Sequence, residues 1–85
     1  MEDFITDWFA REYLDTALNA PWREVLTLRR NIGQNIQDRY NTVQYLNAQG
    51  LHADYIDALK DAMRWVWVDR AVQNIMLLRF GRDDI

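Results

Sequence analysis

The chain has no cysteine, no serine and a single histidine, His52. Without thiols there is neither a disulfide staple nor a thiolate metal site, and one imidazole cannot build a zinc cage. Serine and thiol nucleophiles are missing as well, and no spacing fixes a carboxylate beside His52, so nucleophile-plus-base arrangements are almost unavailable. No P-loop, dinucleotide fingerprint, EF-hand or zinc spacing occurs. The expectation is a protein that is not an enzyme, with no catalytic residue, no metal ligand and no cofactor.

Long apolar runs are also lacking. No uncharged stretch approaches the roughly 20 residues that span a bilayer. The start, Met1-Glu2-Asp3-Phe4, lacks the basic region of a signal peptide. A soluble, cytoplasmic chain with no membrane partner is expected. Excess positive charge is absent too: the net charge is −3, which argues against nucleic acid as a partner. The charge is uneven. Residues 1–20 carry five acids and one base, residues 21–48 four arginines against two acids, and residues 49–85 five bases against six acids.

Present in quantity are tryptophan and arginine. Four of the 85 residues are Trp, and nine of the ten basic residues are Arg. Interfaces are enriched in both, which suggests a binding protein. A chain this short buries only about 60–65% of its unfolded surface, so a lone copy has little core to stand on.

The one proline and three glycines punctuate a single all-α domain, residues 1–85, of three helices. The first is predicted over 3–19, with Asp3 as N-cap. Its apolar residues point two ways: Phe4, Ile5, Trp8 and Phe9 lie nearly opposite Tyr13, Leu14, Ala17 and Leu18, which predicts burial on two sides or, failing that, a break near Ala10-Arg11. Pro21 opens the second helix, over 21–48. Its stripe is Trp22, Val25, Leu26, Ile32, Ile36, Tyr40 and Val43. Gly33 falls within that stripe, where glycine costs about 1 kcal/mol relative to alanine; close approach of a helix or an indole is the expected compensation. Gly50 closes the helix. The third runs over 52–80 and ends at Gly81.

The short connection Gln49-Gly50-Leu51 predicts a long antiparallel hairpin, in which residues at one level have numbers adding to about 99. The seam expected on helix three is Tyr55, Ile56, Leu59, Ala62, Met63, Val66, Arg70, Gln73, Leu77 and Phe80. The C-terminal half of this helix is apolar nearly all round, which demands cover on two sides. Trp65, Val68, Val72 and Met76 form the surplus face. The first helix covers it, or it is a subunit interface, together with Phe4 and Trp8, in a dimeric or larger helical bundle, or it is left open for a foreign partner.

Arg29 and Arg70 share one level of the predicted seam, and two cations cannot face each other in a dry seam unneutralised. They are expected to converge on an acid of helix one (Asp7, Glu12 or Asp15) or on an external anion, with Arg30 nearby. Asp54, Asp57 and Asp61 read as a solvated acidic line. The composition is that of small adaptor or inhibitor proteins: a homo-oligomeric module whose partners are itself and another protein. The alternative is an anionic-ligand or nucleic-acid-binding module built on Arg23, Arg29, Arg30 and Arg39.

Overall fold

The computed structural model describes residues 8–84, with side chains from Ala10 onward. It is all-α. α1 spans Trp8–Asn19, α2 Trp22–Ala48 and α3 His52–Phe80. The predicted start of helix one, with Phe4 and the side chain of Trp8, lies outside the described residues.

The punctuation acts as the residue types require. Pro21 is the N-cap residue of α2, extended at φ −68° and ψ 162°. Gly50 adopts φ 71°, a left-handed conformation that glycine tolerates without strain. This lets Gly50 N–H reach the Asn47 carbonyl and Leu51 N–H reach the Leu46 carbonyl, both at 3.1 Å. That pair of bonds satisfies the last carbonyls of α2 and turns the chain. Gly81, at φ 72°, closes α3 by the same device. At the end of α1 an arginine does the work: Arg79 Nη1 donates to the carbonyls of Ala17 and Ala20 at 2.7 and 2.6 Å. A cation at a helix C-terminus also complements the helix dipole.

α2 and α3 run antiparallel. Arg29 meets Asp69 and Arg39 meets Asp61, at the levels that the short connection dictates. α3 is the middle helix, packed against both others, while α1 and α2 touch less. The Cα trace measures 44 × 29 × 15 Å, so the three helices form a shallow layer. Its core is Ala10 and Ala17 from α1, Val25 and Ile32 from α2, and Trp65, Val68, Val72 and Met76 from α3. These side chains are small or aliphatic apart from Trp65, which Tyr13 covers edge-on at 5.5 Å between centroids.

The face that α3 turns inward differs from the predicted seam. Met63 is 51% exposed and Leu77 45%, and Ile56 is exposed as well, whereas Val72 and Met76 are fully buried. At about 100° per residue, α3 is turned by about a third of a revolution from the expected orientation. Arg70 supplies the reason. The predicted seam would carry it opposite Arg29, while the observed rotation presents Asp69 there instead. Opposite charges replace like charges, and the loss of hydration at Arg29 is offset. In α1, Tyr13 and Leu14 join the core while Leu18 is half-exposed, so among the described residues one face of this helix is seated.

A candidate protein interface

The reorientation of α3 moves the candidate interface. Trp65, Val68, Val72 and Met76, expected as a surplus face, are covered within a single chain by α1 and α2. They are core, not free surface. What lies uncovered is one edge of the expected seam, while Ala62 of that seam is fully buried. Along α3, Ile56, Met63, Arg70 and Leu77 recur every seven residues, with Val66 and Trp67 half-buried between them. The same side of α2 offers Gly33, Ile36 and Tyr40. On antiparallel neighbours, residues turned to the same side of the contact line form one continuous face. Met63, Val66, Trp67 and Arg70 line a hollow of about 270 Å³ in it. Gly33 leaves open space: a Cβ there would meet nothing within 4 Å among the described residues. Among the described residues the expected close approach to Gly33 does not occur.

The upper end of this face is closed by the C-terminal tail. After Gly81 the chain doubles back. Arg29 Nη1 donates to the Asp83 carbonyl, and Gln73 donates to the Asp83 carboxylate. Arg82 lies over the Trp22 ring at 4.5 Å and pairs with Asp84 at 2.8 Å. Trp22 in turn packs edge-on against Phe80, 5.1 Å between centroids. The Arg82 guanidinium, by hydrogen bond and charge, holds the Asp84 carboxyl below its ordinary value, and Asp84 raises Arg82 correspondingly.

The arginines do not converge on one anion. Arg29, its side chain 14% exposed, lies 3.4 Å from Asp69 and donates to the Asp83 carbonyl; among the described residues no acid of helix one pairs with it, and Asp7 lies outside them. Arg70 is exposed and has no ion-pair partner among the described residues. Arg30 and Arg23 stand in solvent on the far side of α2. Arg39 is taken up internally: its guanidinium lies 4.6 Å above the Trp65 ring, and Nη1 donates to Asn35 Oδ1 at 3.0 Å. Its Nε is 3.0 Å from Asp61 Oδ2 but off the hydrogen-bonding direction, so that contact is a Coulomb pair. The cleft beside it, about 300 Å³, includes Asp38 and Asp61 in its lining. Two carboxylates at its walls oppose an anionic occupant.

The countercharges Asp69 and Asp61 were legible in principle. The level rule that paired Arg29 with Arg70 reaches Asp69 within one residue, and it pairs Arg39 with Asp61 as well. Asp54 and Asp57 are exposed, as is His52 at the start of α3. Among the described residues no three His, Asp or Glu side chains converge, and no helix is long and apolar enough to cross a membrane. No protein-family model, curated protein or solved structure matches the chain.

Proposed function

We propose that the chain is a non-enzymatic protein-interaction module of adaptor or inhibitor type, acting in the cytoplasm. Its working surface is the open α2–α3 face, and its first partner is a second copy. The α2–α3 hairpins of two chains then pack face to face into a four-helix or larger bundle. One observation carries this reading: Tyr40, Met63 and Leu77 are exposed together with half-buried Ile36, Val66 and Trp67 on a single face. Single exposed apolar residues are ordinary, but a contiguous patch of them marks an interaction site. The shallow layer offers that patch over much of its length, and a second copy supplies the cover that an 85-residue core lacks.

Light scattering coupled to size exclusion is the test. At roughly tens of micromolar the expected mass is at least twice 10.2 kDa. Met63→Glu should yield a folded, smaller species, because an unpaired carboxylate in an apolar interface is disfavoured. A stable wild-type monomer that melts cooperatively would sink the second-copy reading. An anionic ligand on the arginines of α2 is the weaker alternative, since Arg29 and Arg39 each already face an aspartate.

A further inference from the structure

We infer that residues 82–84 are a strap that closes the Trp22 end of the α2–α3 face in a lone chain and is displaced when a second copy packs there. This rests on the second-copy reading of that face. Along α2, Trp22, Arg29 and Ile36 recur every seven residues, so they stand in one stripe. The strap lies on the first two. Arg82 stacks on the Trp22 ring, 4.5 Å from its centroid, and Arg29 donates to the Asp83 carbonyl. From α3, Gln73 donates to the Asp83 carboxylate. Leu77, one turn on from Gln73, is exposed, as is Tyr40 beyond Ile36. The strap therefore adjoins the exposed apolar part of the same face.

Its attachment is of a kind that comes undone. Arg82 and Asp84 are exposed and Asp83 is half-buried, and no apolar side chain anchors these three residues. They are held by hydrogen bonds, an ion pair and a cation–π contact at the rim. Gly81, at φ 72°, is the joint. Glycine moves between left-handed and other backbone states at little cost, so the strap can swing without disturbing α3. Release uncovers apolar surface, the Trp22 ring with Phe80 edge-on at 5.1 Å. It strands no charge either, because Arg29 keeps Asp69 as its counter-charge. A second copy gains aromatic contact area there. A closed strap lowers the fraction of chains competent to associate, and the apparent affinity falls by that fraction.

The test keeps composition and net charge fixed. Arg82→Asp with Asp83→Arg, in the full chain, sets an anion at the Trp22 ring and a cation beside Arg29, so the strap is repelled while the helices are untouched. Amide relaxation measured by nuclear magnetic resonance should show residues 82–84 ordered in the dilute wild type and loose in the variant. By sedimentation the variant should associate about two- to five-fold more tightly than the wild type, the span of an exposed ion pair. In the wild type the same amides should loosen as concentration is raised and dimers form. Equal association of the two chains overturns the inference. Weaker association of the variant does so too, by making the strap part of the interface. A strap that stays ordered in the wild-type dimer, or in the variant, is equally fatal. In each of these cases the second-copy reading stands. Monomers throughout, in both chains, would instead defeat that reading and the role of the strap with it.

Discussion

At the scale of single residues, one step along α3 decides the orientation of the whole helix. Asp69 and Arg70 are both polar, and periodicity alone gives no reason to prefer either opposite Arg29. Charge does. The core that follows has Val72 at its centre, fully buried. Val72→Glu should therefore unfold the chain, because a carboxylate stranded among Ile32, Val68 and Met76 costs more than a small domain has in reserve, roughly 5–15 kcal/mol at most. Circular dichroism would read the outcome, and a folded Val72→Glu chain would contradict the core assignment. Gly33 should respond in the opposite sense. It lies inside α2, exposed, with open space where its Cβ would be. Gly33→Ala should stabilise the isolated chain by about 0.5–1 kcal/mol through helix propensity, or roughly 4–8 °C per kcal/mol in a domain of this size. If a second copy packs closely over Gly33, the same change weakens association while raising monomer stability. Melting and sedimentation separate the two effects.

The elements show what was legible in the sequence. α2 and α3 begin and end within a residue of where Pro21, Gly50 and Gly81 place them, because proline and glycine impose backbone states that other residues do not. The levels at which the helices pair were legible for the same reason, since a three-residue connection leaves no slack. The face of α3 was not, because two stripes of this helix are apolar and its pattern cannot rank them. The choice lies in partners distant in sequence: Tyr13, Arg29 and Arg39. Met63 and Leu77, expected in the seam, are therefore exposed, while Trp65, Val68, Val72 and Met76 are buried, as the first helix covering them requires. α1 depends on one clamp. Arg79→Ala removes both donors from the Ala17 and Ala20 carbonyls, so amides of α1 should exchange with solvent markedly faster than those of α2. Uniform exchange across α1 and α2 would show that apolar packing alone seats it. The tail has a pH signature of its own. Asp84 is held low by Arg82, so its contribution is present above the ordinary carboxylate value and fades as pH falls through the lowered one. Since both groups are exposed, acid should loosen residues 82–84 locally, visible as a change around Trp22, without melting the helices.

For the molecule as a whole, no polar or charged side chain is buried among the described residues. Apart from Trp65, with Tyr13 edge-on and Arg39 over its ring, the core is Ala, Val, Ile and Met, whose contacts have little directional preference. Position is set instead at the rim, by Arg29 with Asp69 and Arg39 with Asp61. These act as two dowels in a smooth joint. With one dowel gone the helices can still swivel in their plane about the other. With both gone the short connection still holds the level, but a roll of α3 about its own axis toward its second apolar stripe meets no opposing charge. The fold would keep its level and lose its face.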